Sequence, residues 1–127
     1  MKQIKTILMS LTLITTIAFA ISSCAKKNAA PVVNIEEPTD NEMVALTDSA
    51  HIEGTLTDDE ELHEASVLVI KSTGDTALQD YPYVHDLKTY SFHYHFHPVT
   101  TGTYTLKVTA IDHAENSTTA TRTFTVI

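Results

Sequence analysis

The chain has 127 residues with sixteen acidic and eight basic side chains, a single cysteine and no tryptophan. One cysteine rules out an intramolecular disulfide and a thiolate metal cluster, so an exported domain of this sequence relies on its core alone. From Pro31 onward four basic residues face sixteen acidic ones, a net charge of −12 that argues against any nucleic-acid partner.

The chain opens with Lys2 and Lys5 and then an apolar run from Ile7 to Ile21. That run falls short of the ~20 apolar residues of a comfortable span and ends in small residues, so it reads as a secretory signal over 1–23. Ile21-Ser22-Ser23-Cys24 matches a bacterial lipobox, with Cys24 as the lipidated residue. The segment 24–30 is small, polar and basic and reads as a tether. A membrane partner through the lipid and a place in the cell envelope follow as expectations. The lysines after Cys24, where surface-export signals carry acids, point to the outer membrane facing the periplasm.

A single domain is expected over 31–127. Val33 and Ile35 alternate with Asn34 and Glu36 as a short strand that stops at Pro38, and 39–42 reads as a turn. In 49–57, Ala50, Ile52 and Leu56 point one way and His51, Glu53, Thr55 and Thr57 the other. The acidic run Asp58-Asp59-Glu60-Glu61 ends that strand. Residues 65–72 are apolar on both faces, with Val67 and Val69 opposed by Leu68 and Ile70, so the second face is expected under a loop or a partner. The region 74–87 holds one short strand at most.

The stretch 90–97 separates most cleanly. Tyr90, Phe92, Tyr94 and Phe96 share one face; Ser91, His93, His95 and His97 share the other. Tyr104, Leu106, Val108 and Ala110 then face inward from a strand ending at Asp112, and 119–127 finishes the chain. No segment keeps a helical period over three turns. Turn signals recur every ~8–12 residues, the pattern of an all-β sandwich of about seven antiparallel strands.

Gly102-Thr103-Tyr104-Thr105-Leu106 resembles the tyrosine corner of immunoglobulin-like domains, with Leu106 where antibodies carry cysteine. Val108-Thr109-Ala110-Ile111-Asp112-His113-Ala114-Glu115-Asn116 is similar to a hairpin of bacterial Ig-like and cadherin-like modules. With the lipobox, the chain resembles the single-domain Ig-like lipoproteins of Bacteroidetes. The resemblance implies a fold and no chemistry.

In such a fold the strands 49–57 and 90–97 are antiparallel neighbours, and their outward faces are shared. His51, His93 and His95 then form the preferred ligand set for zinc or copper, with Glu53 and His97 in reserve. The competing reading is a plain solvated face that happens to be rich in histidine. Asp58 and Asp59, together with Asp112, Glu115 and Asn116, suggest a calcium site where two loops share an end, against the alternative of Asx-capped turns. Asp48-Ser49-Ala50 and Asp75-Thr76-Ala77 match a short O-glycosylation acceptor pattern at Ser49 and Thr76. No nucleophile elbow, phosphate-cradling glycine loop or HExxH helix is present, so no catalytic activity is expected. The leading functional expectation is a lipid-anchored module binding another envelope protein or a glycan. The alternative is a metal-binding envelope lipoprotein using the histidine face.

Overall fold

The computed structural model describes residues 27–127, so the segment expected to be a signal and Cys24 lie outside the described residues. Among the described residues eight strands make two sheets. The smaller sheet contains β1 (Val32–Glu37), β3 (Ala50–Thr57) and β6 (Thr89–Phe96) in the order β1-β3-β6. The larger contains β2 (Glu42–Val44), β4 (Leu62–Lys71), β5 (Thr76–Asp80), β7 (Gly102–Asp112) and β8 (Ser117–Val126) in the order β2-β8-β7-β4-β5. This is an immunoglobulin-like β-sandwich.

Alternation along the strands builds the core. Ile52 and Leu56 from the small sheet meet Val67, Val69, Leu106 and Val108 from the large one, all fully buried. Such burial contributes ~1.5–3 kcal/mol per large apolar side chain. Tyr104 and Phe124 stack with ring centres 5.5 Å apart, and Phe96 packs edge-on against both. Tyr104 Oη donates to the carbonyl of Thr100 at 2.7 Å, the hydrogen bond that a tyrosine corner requires.

Three local expectations are corrected. First, the turn expected over 39–42 stops at Asn41, and an unforeseen strand, β2, starts at Glu42 and pairs in parallel with β8 (Glu42 opposite Phe124, Val44 opposite Val126). Three residues are too few to show a period, so only the neighbouring strand makes this segment a strand. Second, of the four aromatics on β6, Phe92 and Phe96 are buried but Tyr90 and Tyr94 are half-buried, because β6 is an edge strand. Third, the outer face of β4 is not an apolar patch awaiting a cover. Leu68 is flanked by Lys107 and Gln79, and Ile70 by Thr105 and Thr76, which leaves both half-buried among polar neighbours.

The sandwich has two distinct ends. At one, β3 begins and β6 finishes, with His51 opposite His95. At the other, Thr57 pairs with Thr89, and the start of β4 meets the finish of β7, with Leu62 opposite Asp112. Six residues of strand separate His51 from Thr57, ~20 Å of extended chain.

Candidate metal centre

The pairing of β3 with β6 runs without a register shift over its whole length, which places His51 opposite His95 and Glu53 opposite His93. Because side chains alternate, all four project from the outer face of the small sheet. One ligand atom from each of His51, His93 and His95 lies within 4.8 Å of the others. The ring centres of His51 and His95, and those of His93 and His95, are 4.7 Å apart, while His51 and His93 are 6.1 Å apart.

Glu53 organises the group. Its Oε1 lies 2.7 Å from His93 Nδ1 and 3.5 Å from His51 Nδ1. A carboxylate this close to Nδ1 restrains the ring and leaves Nε2 as the nitrogen turned away from Glu53. His93 Nε2 in turn lies 2.9 Å from His95 Nε2. Two imidazole nitrogens bound to one tetrahedral ion at 2.0–2.1 Å sit ~3.3 Å apart, so the pair opens by only a few tenths of an ångström to accept one. The donor set fits zinc or copper. Glu53 acts here as an orienting partner, where the sequence placed it as a reserve ligand. His97 lies just past the end of β6 and is not part of the trio.

The carboxylates proposed for calcium do not gather. Among the described residues, three groups of ligand atoms lie within 4.8 Å of one another, and none joins Asp58 or Asp59 to Asp112. Asp112 is fully buried and caps its own turn. Its Oδ1 accepts from the Asn116 backbone at 2.8 Å, and its Oδ2 accepts from Asn116 Nδ2 at 2.8 Å and Asn28 Nδ2 at 3.2 Å. Burial pushes the Asp112 carboxyl up, but hydrogen bonds from Asn116 and the Ala114 backbone, with His113 nearby, outweigh it and hold the group below the ordinary carboxylate range. Asp58 Oδ1 accepts from the Glu60 backbone at 2.9 Å, again a turn cap, and the Asp59 carbonyl accepts from Lys88 at 3.2 Å. Ser49 is half-buried just before β3, and Thr76 is exposed at the first position of β5.

A second histidine cluster was not foreseen. His63, His85 and His113 converge at the opposite end of the sandwich, with Glu61 and Asp86 beside His113. The signal available was slight: His113 borders the predicted strand end at Asp112, while His63 falls between the acidic run and the strand expected from 65, and His85 falls inside a region read as one short strand at most.

No protein-family model and no curated protein matches the chain. Solved structures match its fold. The CARDB domain of a Pyrococcus furiosus protein, determined in complex with di-metal ions, aligns with a TM-score of 0.55 at 16% identity, over 80% of this chain and 90% of that one. Fibronectin(III)-like modules of Clostridium thermocellum CbhA align at 0.50 and 14% identity, over 75% of this chain and 94% of that one. An engineered protein aligns at 0.50 and 22% identity over 79% of this chain, which spans about a fifth (21%) of that protein's length. At these identities the likeness is one of fold, and no residue's role is carried across.

Proposed function

We propose that this domain is a non-catalytic metal-binding module of the cell envelope that holds a zinc or copper ion between His51, His93 and His95. The observation that carries the reading is the relay in which Glu53 orients His93 through Nδ1 while the His93 and His95 Nε2 atoms face each other. A plain solvated face has no need of a carboxylate placed on one ring nitrogen so that the other is directed at a second imidazole. The partner-binding reading keeps the fold and the lipobox behind it and loses its named docking face, since Leu68 and Ile70 are half-buried between polar neighbours.

Its place in the envelope rests on the lipobox at Cys24, with the domain facing the periplasm from the outer membrane. Asn28 docks on Asp112, and four residues of chain reach at most ~14 Å. A lipid on Cys24 therefore keeps the Asp112 end near the bilayer and the His51–His95 end away from it.

Titration of the full chain in detergent with zinc and with copper tests the reading. His93→Ala/His95→Ala is expected to lower affinity at this face by more than ~100-fold, beyond what loss of an orienting partner does. Equal binding at this face by wild type and variant overturns the reading. Since only neutral imidazole ligates, affinity also weakens sharply below about pH 6. A flat profile from mildly acidic to neutral pH contradicts it.

A further inference from the structure

We propose that His63, His85 and His113, with the Asp86 carboxylate, form a second site for a divalent transition-metal ion of the zinc class, at the far end of the sandwich from the first. This inference does not depend on the His51–His93–His95 reading.

Three separate backbone devices bring the side chains together. His63 sits at a bulge: Leu62 pairs with Asp112 and Glu64 with Ile111, so β4 uses two steps where β7 uses one. Bulges of this kind re-aim a side chain that regular pairing would send elsewhere. His85 rides on a turn stitched to the same place. Leu62 donates its N–H to the carbonyl of Leu87 at 2.7 Å, and Asp86 donates to the carbonyl of Leu62 at 3.1 Å, while buried Val84 anchors the turn from within. His113 follows Asp112, whose buried carboxylate holds the turn to Asn116. The Leu62–Asp112 pair is thus the common base of all three imidazoles.

The resulting geometry suits a metal. Ring centres are 5.1 Å apart for His63 and His85, 4.6 Å for His63 and His113, and 4.7 Å for His85 and His113. One ligand atom from each lies within 4.8 Å of the others. Asp86 Oδ1 stands 2.8 Å from His85 Nδ1 and 3.2 Å from His113 Nε2. His85 Nδ1 is thus paired with the Asp86 carboxylate, whereas His63 Nδ1 is a buried nitrogen with no hydrogen-bond partner among the described residues. A buried imidazole nitrogen without a partner, inside a trio whose ligand atoms converge beside a carboxylate, is a donor that a bound ion would satisfy.

Asp86 occupies the left-handed region at φ 65, a conformation few side chains adopt. Holding a carboxylate there places it against two of the three rings. Glu61 has a carboxylate oxygen within 4.8 Å of Asp86 and His113, and Glu60 lines the same cavity with them, so carboxylates outnumber the one cation there, Lys88. Three imidazoles and a carboxylate form a borderline donor set that favours zinc over the all-oxygen preferences of calcium and magnesium.

Zinc calorimetry on the full chain in detergent near neutral pH is the test, read as stoichiometry. Wild type is expected to bind two equivalents, and His85→Ala/His113→Ala to lose one of them while keeping the one that His93→Ala/His95→Ala removes. One equivalent abolished by His85→Ala/His113→Ala but untouched by His93→Ala/His95→Ala upholds this site and sinks the other. Stoichiometry and affinity unchanged in His85→Ala/His113→Ala overturn this one. Histidine-ring NMR of the wild type needs no variant: zinc must shift the His63, His85 and His113 ring signals, and signals that stay in place through saturation also overturn the proposal.

Discussion

The two histidine clusters are built from the same side chain in opposite ways. His51, His93 and His95 stand on two strands in unbroken register, and strand alternation alone puts them on one surface. His63, His85 and His113 stand at a bulge, in a stitched turn and just past a strand end, and no regular period connects them. The first cluster is therefore only as sound as the β3–β6 pairing. The second is only as sound as the Leu62–Asp112 junction. The difference yields experiments that damage one while sparing the other, because sites at opposite ends of the sandwich without shared partners behave additively.

The largest expected effect comes from Gly54→Ala. Gly54 is buried in β3 opposite Phe92, and a methyl group there collides with the carbonyl oxygen of Asn34 and the Phe92 ring. The obstacle on one side is backbone, which cannot swing away, so the strands must part. Overpacking of this kind costs ~1–3 kcal/mol, and this position belongs at the upper end. Urea denaturation measures the loss, which is expected to come with weakened zinc binding at the strand-built face and intact binding at the loop-built site. A loss under ~0.5 kcal/mol, the range of an ordinary surface change, shows that the small sheet yields more easily than its packing implies.

Next is Glu53→Gln. The amide keeps the shape but loses the charge that orients His93, so zinc affinity at the strand-built face is expected to fall ~10–100-fold. Stability should move by less than ~0.5 kcal/mol, because Glu53 is partly exposed and its ion pairs are solvated. Unchanged affinity, measured by competition with a chelator, reduces Glu53 to a bystander.

The contrast also explains what could be read from the sequence. The run from Tyr90 to His97 declares its two faces because a strand has a period of two, and the outward positions of 49–57 follow by the same rule. The sandwich was legible from the spacing of turn signals. The tyrosine corner at Tyr104 and the adjacency of 49–57 and 90–97 were legible from the resemblance to immunoglobulin-like domains; that His51 lies opposite His95 is fixed only by the register. Glu53 as an orienting group was half legible, since its face was evident and its contact with His93 Nδ1 was not. The second cluster was hidden because a bulge adds one residue without any mark in the sequence, and the left-handed Asp86 looks like any loop aspartate. β2 was hidden for a related reason: Glu42-Met43-Val44 has no pattern of its own and becomes a strand only beside β8.

The smallest expected effect tests the link between the regions. β6 carries His93 and His95, and β5 leads into the loop that carries His85. The two strands are edges of different sheets, and Tyr94 Oη joins them by donating to Asp80 Oδ2 at 2.6 Å. Burial first, and then the Asp80 carboxylate, push the Tyr94 phenol well above its ordinary value. A raised value in the folded state means stabilisation that is complete below the unfolded tyrosine's ~10 and is lost as pH climbs from there toward the folded value. Tyr94→Phe should therefore cost ~1 kcal/mol at neutral pH, a charge-assisted hydrogen bond discounted for partial exposure. The gap between wild type and variant should then shrink as pH rises above ~10. If the clusters are independent, zinc affinity at each changes by no more than ~2-fold, within the additivity expected of distant sites. A larger change at both, measured on a variant that melts as a single folded species, means that the edge contact couples them and that the two ends respond as one body.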